Sequence, residues 1–152
     1  MSFQKIELKV KKLPHFKGEL PGYETAGASG MDVRAQIVTE VVLMPGERAM
    51  VPTALSMEVP PGFEIQVRPR SGLAAKNGIM VVNSPGTVDS DYRGEVKILL
   101  FNGGQADFTI KDQDRIAQLV LCPVVQAQWI VASELSDSAR GVGGFGSTGV
   151  SV

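Results

Sequence analysis

The chain has 152 residues, of which 43% are hydrophobic and 20% charged, and its formal net charge is −1. This composition suits one globular domain with its own core, and the near-neutral charge gives no general attraction to nucleic acid or to an anionic membrane. No apolar stretch reaches the roughly 20 residues of a membrane-spanning helix, and residues 1–5 lack a signal-peptide core. We expect a cytoplasmic protein without nucleic-acid or membrane partners.

Short apolar runs separated by turn residues follow one another along the chain. Apolar and polar residues alternate at residues 6–11 and 64–68, and longer apolar runs cover residues 95–101 and 115–125. Pro-Gly and Gly-Gly turn signals lie between the runs, and helical spacing is nearly absent apart from one turn at residues 72–77. The pattern predicts an all-β fold, as a sandwich, jelly roll or barrel.

His15 and Cys122 are the only residues of their types, so the chain offers no Cys/His zinc site and no catalytic group that needs a Ser-His or Cys-His pair. Cys122 lies in an apolar run that favours an inert core thiol, and His15 follows a proline in a predicted surface loop. Nucleotide-binding glycine loops of the two common types are absent as well. Catalysis must therefore use carboxylates, arginines, hydroxyls, backbone amides or a bound metal ion.

A candidate anion site lies just before the predicted helical turn. Arg70 and Ser71 precede Gly72, so a guanidinium, a hydroxyl and the free amides of a helix start fall together. The alternative is a structural turn in which Ser71 caps the helix.

Candidate catalytic carboxylates stand between two predicted strands, at residues 79–83 and 95–101. This arrangement predicts a β-hairpin whose tip carries Asp89, Asp91 and Tyr92. Because aspartate and serine are common turn residues, an ordinary polar turn is the alternative.

The C-terminal segment has its own composition. Residues 140–149 contain five glycines, which disfavour a packed strand or helix. An arginine, a phenylalanine and two hydroxyls among those glycines suggest a flexible arm that orders over a ligand, and a frayed tail is the alternative. We predict a β domain at residues 1–139 and an arm at residues 140–152.

Five segments, taken in order, resemble the five motifs of the trimeric dUTPase family. They span nearly the whole chain, and the glycine-rich arm is the last of them. One departure precedes the fourth motif, at residues 112–114, where a turn glycine is common in the family; it concerns the shape of a loop. The segments are residues 26–33 (AGASGMDV), 69–74 (PRSGLA), 86–94 (GTVDSDYRG) with Asn83 before it, 114–119 (DRIAQL) and 140–147 (RGVGGFGS).

The resemblance implies a distorted β-barrel or jelly roll, assembled as a closed homotrimer. It further implies hydrolysis of dUTP to dUMP and pyrophosphate by water attack on the α-phosphorus, which lowers dUTP and supplies dUMP for thymidylate synthesis. Asp89 would be the general base. Mg²⁺ is the implied cofactor, held by phosphates and water without a direct protein ligand, with Asp32 and Gln118 in its outer shell. For Asp32, structural turn capping is the alternative.

The implied substrate contacts divide between nucleoside and phosphates. Asn83 and backbone groups of the third motif would hold uracil, Tyr92 would pack on the deoxyribose, and Lys97 would either steady the substrate or remain a solvated edge lysine. The loop at Arg70 would cradle the phosphates, and the arm would close over them. The full set is Arg70, Ser71, Gly72, Asn83, Gly86, Thr87, Val88, Tyr92, Lys97, Gln118, Arg140, Phe145, Gly146, Ser147 and Thr148.

Two other functions fit parts of the pattern. A dCTP deaminase shares the expected fold, and a non-catalytic nucleotide-binding protein could reuse it. The segment from Asp89 to Tyr92 and the arm carrying Phe145 favour the dUTPase over the deaminase. An intact Asp89 also argues against a protein that only binds nucleotide.

Overall fold

The structure, a computed structural model, describes residues 4–144, and its strands form three antiparallel sheets. The first sheet has the strand order β1-β4-β8-β6, the second has β2-β10-β5-β7, and β3 pairs with β9. In chain order the elements are β1 (Lys9–Lys12), β2 (Met31–Arg34), β3 (Val41–Leu43), β4 (Arg48–Glu58), β5 (Phe63–Arg68), α1 (Ser71–Asn77), β6 (Ile79–Val81), β7 (Gly86–Val88), β8 (Glu95–Asn102), β9 (Phe108–Ile110) and β10 (Arg115–Pro123).

The core lies between the two larger sheets and is built from alternate strand positions. In β8 the buried residues are every second one, and Leu100 is fully buried there. Ile65 of β5 and Leu119 of β10 are fully buried on the facing sheet. Burying each such aliphatic side chain stabilises the fold by roughly 1.5–3 kcal/mol. The predicted all-β fold is confirmed.

The predicted hairpin over residues 79–101 is wrong in its connection. Strands β6 and β8 do pair, but the chain between them first crosses to the other sheet and forms β7 against β5. Asp89, Asp91 and Tyr92 therefore lie on the return from β7 to β8, not at the tip of a simple hairpin. A three-residue strand carries too little alternation to be read from sequence.

A bulge in β4 shapes the start of β8. The pairing register between these strands shifts between Pro52 and Ser56, and Ala54 within the bulge has a left-handed φ of 53°. Such a φ is unfavourable for a residue with a side chain. It is held by hydrogen bonds on both sides: Ala54 N donates to a Glu95 carboxylate oxygen (2.9 Å), and Leu13 N donates to Ala54 O (2.9 Å). Glu95 is thereby tied into the fold.

The chain after β10 makes neither strand nor helix through residue 144. Several large apolar side chains in this stretch are exposed, among them Trp129 at 93%, Ile130 at 85% and Leu135 at 89%. Cys122, near the end of β10, is half-buried, with Arg68 Nη2 at 3.6 Å from its sulfur, so the expected core thiol lies at the margin of the core. The boundary between residues 1–139 and the arm stays a prediction.

Among the residues that the structure describes, no helix is long and apolar enough to cross a membrane. The cytoplasmic location stays a prediction. His15 lies in a turn, as expected, and its Nε2 is 3.1 Å from a Glu95 carboxylate oxygen.

Candidate active site

An open cavity of about 450 Å³ lies where the two larger sheets meet, beside β7 and the start of β8. Its size is in the range of small-molecule sites. It is lined by backbone and side chains of the segment that returns from β7, and by residues of β4, β5, β6 and β8. The cavity brings together the predicted site residues Asn83, Gly86, Thr87, Val88, Asp89, Tyr92 and Lys97. We call it the nucleoside cavity.

Asp89 comes directly after β7, where a turn begins. Tyr92 N donates to Asp89 O (3.2 Å), and this turn directs both residues to the same cavity. Asp89 is exposed, so its carboxylate is accessible to water. Asp91 lies in the same turn but does not line the cavity. Glu95 lines it, but its carboxylate is the half-buried anchor of the β4 bulge.

Lys97 and Tyr92 occupy the side of the cavity formed by β8. The hydroxyl of Tyr92 donates to Glu95 O (3.0 Å), and Lys97 Nζ lies 3.8 Å from a Glu95 carboxylate oxygen. Because β8 lies between β4 and β6, Lys97 is on an inner strand and not on a sheet edge. Its side chain is 45% exposed, so a solvated lysine stays the alternative and a substrate contact for Lys97 stays a prediction.

Two predicted residues, Asp32 and Arg70, form an ion-pair network with Arg115, and we call these three residues the arginine cluster. Arg70 Nε donates to Asp32 Oδ1 (3.1 Å), and Arg70 Nη1 donates to the backbone oxygen of Arg115 (3.1 Å). Arg115 Nη1 lies 3.6 Å from Asp32 Oδ2. Among residues 4–144, Nη2 of Arg70 has no hydrogen-bond partner, so it is the nitrogen available to an anion. Asp32 thus orients an arginine and does not cap a turn.

Gln118 fixes the loop that carries Arg70. In β10 it stands opposite Asp32 of β2 and Arg68 of β5, and its Nε2 donates to the backbone oxygen of Pro69 (3.0 Å). A side chain at Gly30 would collide with Gln118, since a Cβ there would lie 3.2 Å from Cδ and closer still to Oε1. The glycine therefore leaves room for the amide.

Ser71 and Gly72 begin α1, next to the arginine cluster. The N-cap of this helix is Arg70, and no side chain caps it, so the alternative in which Ser71 caps the helix is wrong. The Ser71 hydroxyl is therefore not required to start the helix. No Cβ added at Gly72 would meet another heavy atom within 4 Å, which leaves open space beside the turn.

The nucleoside cavity and the arginine cluster are separate within one chain. No residue of the cluster lines the cavity, and neither Ser71 nor Gln118 does. Arg140 is exposed and its Nε donates to Gly143 O (2.7 Å), within its own segment. The predicted arm residues Phe145, Gly146, Ser147 and Thr148 lie outside the described residues.

The unusual turn before β10 takes the shape that a glycine would give. Gln113 has a left-handed φ of 68°, and its backbone N donates to Ala35 O (2.9 Å) while its side chain donates to Gln36 Oε1 (3.1 Å). Beside it, burial raises the pKa of Asp112, but hydrogen bonds from Ile37 N and Lys17 Nζ outweigh this and leave the pKa below its usual value. Gln113 therefore adopts the left-handed backbone that a glycine favours.

Three residues at the site were missed by sequence reasoning. Arg115 joins the cluster, although the only sequence signal was its place in the fourth motif. Glu24, on the loop before β2, lies 3.6 Å from Arg115 Nη2 and extends the network. Gly94 lies under the ring of Tyr92. Each depends on a contact between segments that sequence spacing does not reveal.

Comparison with known protein families identifies the family of this chain. Residues 17–149 match the family model described as dUTPase. The chain belongs to the dUTPase family. The resemblance drawn from the five motifs is therefore confirmed, and with it the expectation of an enzyme, since the reaction of the dUTPase family is hydrolysis of dUTP.

Individual dUTPases agree with this assignment. A deoxyuridine 5'-triphosphate nucleotidohydrolase from Bdellovibrio bacteriovorus is 63% identical over 146 residues, which cover 96% of this chain and 98% of that relative. The dUTPase of Staphylococcus bacteriophage 80alpha, solved with dUPNHPP, has a TM-score of 0.85 and 26% identity, covering 96% of this chain and 100% of that one.

A third dUTPase supports the fold alone. It is a mutant enzyme from phage phi11 of S. aureus whose structure concerns the coordination of a structural Mg(II) ion. Its TM-score is 0.75 at 21% identity, covering 85% of this chain and 98% of that one. The predicted jelly-roll-like fold is confirmed by these structures of dUTPases.

Proposed function

We propose that this chain hydrolyses dUTP to dUMP and pyrophosphate, with Asp89 as the general base. The observation that carries the assignment is the environment of the three nearby acids. Asp89 is exposed and lines the nucleoside cavity, whereas Asp91 does not line it. The carboxylate of Glu95 is held by Ala54 N at 2.9 Å and by His15 Nε2 at 3.1 Å. Of these three acids, Asp89 is the one that both lines the cavity and has an exposed carboxylate free of these contacts, which supports its assignment as the base.

The proposed chemistry suits an ionised, exposed carboxylate. Such a group is a hydrogen-bond acceptor only, so Asp89 would accept a proton from a water molecule and hold its oxygen toward the α-phosphorus. As the water oxygen bonds to phosphorus, the bond to the bridging oxygen of the β-phosphate breaks. Pyrophosphate leaves, and dUMP remains in the cavity.

Recognition of uracil is proposed to use the free edge of β7. Among residues 4–144 this strand is the last in its sheet and pairs with β5 alone, so within that part of the chain the backbone groups of its other edge are available to a ligand. Backbone groups near Thr87 and Val88, together with Asn83, would pair with the uracil edge. Cytosine presents an amino group in place of a carbonyl oxygen, which would leave these groups mispaired.

The phosphates are proposed to bind at the arginine cluster. The available nitrogen of Arg70 and the hydroxyl of Ser71 are donors suited to phosphate oxygens, and Gly72 leaves space beside them. Asp32 and the backbone of Arg115 fix the guanidinium before any ligand arrives. A donor that is already oriented loses less entropy when it binds.

Since the cavity and the cluster do not meet in one chain, we place the complete site between subunits of a homotrimer. Uracil would occupy the cavity of one subunit and the phosphates the cluster of its neighbour. The exposed apolar side chains after β10, including Trp129 and Leu135, support an assembly that covers them. Met50 and Met80, exposed on the first sheet, add a second apolar surface.

The arm is proposed to close over the bound nucleotide. Arg140 would contact the phosphates, together with the hydroxyls of Ser147 and Thr148, next to the backbone of Gly146. Phe145 would lie on the uracil ring. Ordering a segment rich in glycine costs roughly 1–2 kcal/mol per residue, so only a ligand with strong contacts would close it.

Mg²⁺ is the proposed cofactor, carried to the site by the triphosphate. Among residues 4–144, no three Asp, Glu, His or Cys side chains are grouped to hold a metal. Asp32 is paired with two arginines and is still 21% exposed, and the amide oxygen of Gln118 lies beside Gly30. These oxygens fit an outer shell in which water and phosphates are the ligands. When bound, the ion would neutralise phosphate charge.

Pyrophosphate release from dUTP, dCTP and UTP by the purified protein tests the reaction. We expect rapid release from dUTP and much slower release from the other two. Ammonia release from dCTP would support a deaminase of the same fold instead. Binding of a non-hydrolysable dUTP analogue without turnover would support a protein that only binds nucleotide.

Mixed trimers test closure of the arm from a different subunit. One parent lacks residues 140–152, and the other is full-length with Asp89→Asn. When the two are refolded together, some sites combine an intact Asp89 with an intact arm from another chain. Activity above that of either parent supports closure in trans, and no gain over the parents would exclude it.

A further inference from the structure

Gly94 lies against the phenol end of the Tyr92 side chain, and Tyr92 lines the nucleoside cavity. A Cβ built on Gly94 would lie 2.5 Å from Cζ and 2.9 Å from Cε2 of the tyrosine, and closer still to its hydroxyl oxygen. Carbon atoms that are not bonded pack at about 3.5–4.0 Å. The ring therefore occupies the space that any side chain at position 94 would need.

The ring is also held at its ends, so it has little freedom to move aside. The hydroxyl of Tyr92 donates to the backbone oxygen of Glu95 (3.0 Å), and the backbone N of Tyr92 donates to Asp89 O (3.2 Å). Arg93 Nη1 donates to the backbone oxygens of Ser90 (2.7 Å) and Tyr92 (3.1 Å), which closes the same turn. The phenol end of the ring lies against Gly94, the residue as a whole is 45% exposed, and Tyr92 lines the cavity.

The requirement at position 94 is for space and not for an unusual backbone. Gly62 and Gly78 have left-handed φ values of 85° and 70°, but φ of Gly94 lies outside the positive range. An alanine could therefore adopt the backbone of residue 94. Its methyl group could not be accommodated without displacing the tyrosine.

We infer that Gly94 is a specificity-determining position that acts through Tyr92, by seating its ring where a 2′-hydroxyl of a ribonucleotide would have to fit. This inference rests on the proposed function, in which Tyr92 packs on the deoxyribose. A ring held through its hydroxyl and packed against Gly94 forms a wall against the sugar. A ring displaced by a methyl group no longer forms that wall, and UTP gains access.

Steady-state kinetics of Gly94→Ala, Tyr92→Ala and the double variant on dUTP and UTP provide the test. We expect Gly94→Ala to narrow the ratio of the two kcat/KM values by roughly tenfold, the scale of a small steric change in a pocket. Once the ring is absent, alanine at position 94 has nothing to displace. The double variant should therefore give the same ratio as Tyr92→Ala. Gly22→Ala is the matched control, since a Cβ there meets nothing within 4 Å.

An unchanged ratio of kcat/KM for dUTP to that for UTP in Gly94→Ala would overturn the inference. The inference would also be overturned if the change in this ratio in the double variant equalled the product of the changes in the two single variants. Stability gives an independent reading. If Gly94→Ala lowers the free energy of unfolding and the double variant restores it, the clash lies at the ring and the contact is supported. If the free energy of unfolding is lowered equally in both variants, the contact is contradicted.

The position of the ring can be followed without turnover, which separates this inference from the proposed function. Tyr23 and Tyr92 are the two tyrosines of the chain, so fluorotyrosine labelling gives two ¹⁹F signals that Tyr23→Phe assigns. We expect the Tyr92 signal to shift in Gly94→Ala and to stay in place in Gly22→Ala. A Tyr92 signal that does not move would contradict the inference, whatever the activity on dUTP.

Discussion

The nucleoside cavity and the arginine cluster are built by different means. The cavity depends on main chain: the free edge of β7, the turn from Asp89 to Tyr92, and a glycine that seats a ring. The cluster depends on side chains from three segments, with Asp32 on β2, Arg70 after β5 and Arg115 on β10. A site made of backbone is altered mainly by glycine and turn substitutions, whereas an ion-pair network is altered by the loss of any one charge.

The two regions also differ in how a defect should show itself. Under the proposed function the cavity selects a base and a sugar, so its defects should appear as changed ratios of kcat/KM between nucleotides. The cluster would bind phosphates, which all nucleoside triphosphates share, so its defects should lower every kcat/KM together. Its side chains are 21–39% exposed, so water weakens each ion pair and their net contribution to stability is small.

The largest effect is expected from Asp89→Asn in the cavity. The amide keeps the shape of the side chain but is a far weaker base, and loss of a positioned base typically lowers kcat by about 10²–10⁴-fold. Binding of a non-hydrolysable dUTP analogue should be retained. Asp91→Asn is the matched control, because Asp91 lies in the same turn without lining the cavity. Equal losses in the two variants would exclude Asp89 as the base.

Arg70→Lys should have the next largest effect, and it should be confined to phosphates. Lysine keeps the charge but cannot reach Asp32, the backbone of Arg115 and a ligand at once. A hydrogen bond to a charged group contributes about 1.5–3 kcal/mol, so we expect kcat/KM for dUTP to fall by roughly 10–100-fold. The Kd of dUMP, which lacks the β- and γ-phosphates, should change little. Arg48→Lys, at an exposed position of β4, is the control.

Arg115→Gln should produce a smaller loss of the same kind. It removes the guanidinium from Asp32 Oδ2 and from Glu24, but leaves the backbone oxygen that accepts a hydrogen bond from Arg70. Partly exposed ion pairs contribute up to about 1 kcal/mol, which corresponds to roughly a fivefold decrease in kcat/KM for dUTP. Lys111→Gln removes a comparable exposed pair elsewhere and should have no effect. A larger decrease in kcat/KM for UTP than for dUTP would indicate instead that Arg115 contributes to sugar selection, which we assign to the nucleoside cavity.

The features that could be predicted from sequence are the local ones, and those that depend on contacts between segments could not be predicted. The alternating strands and the segments with distinctive residue types were identified, because side-chain pattern and composition are local properties. The crossing of the chain through β7 was missed, since three residues give no measurable period. The role of Arg115 was missed because an ion pair across strands is a property of register. Gly94 was quoted only as the end of a motif, since no sequence pattern shows what fills the space above a glycine.

The bulge at Ala54 illustrates the same limit in the fold. Nothing in the run of residues 48–58 indicates a left-handed φ at an alanine, and a glycine would ordinarily be expected there. The conformation is supported by Glu95 and by Leu13, which are distant in sequence. Local propensity was overruled by hydrogen bonds that form only once the sheets are assembled.

Gly30→Ala should have the smallest effect on kcat/KM. It allows one glycine of each region to be compared, Gly30 beside the arginine cluster and Gly94 beside the nucleoside cavity. Gly30 lies against the amide of Gln118 much as Gly94 lies against the ring of Tyr92, and neither has a positive φ. The clashing side chains differ, however. The amide of a glutamine can rotate away about its side-chain single bonds, whereas the tyrosine ring moves only as one rigid group.

The expected cost of Gly30→Ala is therefore limited to the hydrogen bond from Gln118 Nε2 to Pro69 O, which rotation of the amide would break. A hydrogen bond of this kind contributes about 0.5–1.5 kcal/mol, and because this one is only partly buried we take the lower end, so kcat/KM for dUTP should fall by roughly two- to threefold. The loss should be the same for UTP, since the loop carrying Arg70 meets phosphates and not sugar. Gln118→Ala should cause at least this loss, because it removes both the hydrogen bond to Pro69 O and the amide oxygen proposed for the outer shell of Mg²⁺, and adding Gly30→Ala to Gln118→Ala should then cost nothing further. A change in the dUTP-to-UTP ratio in Gly30→Ala would show that the cluster also reads the sugar, and that the two regions do not divide the substrate as their construction indicates.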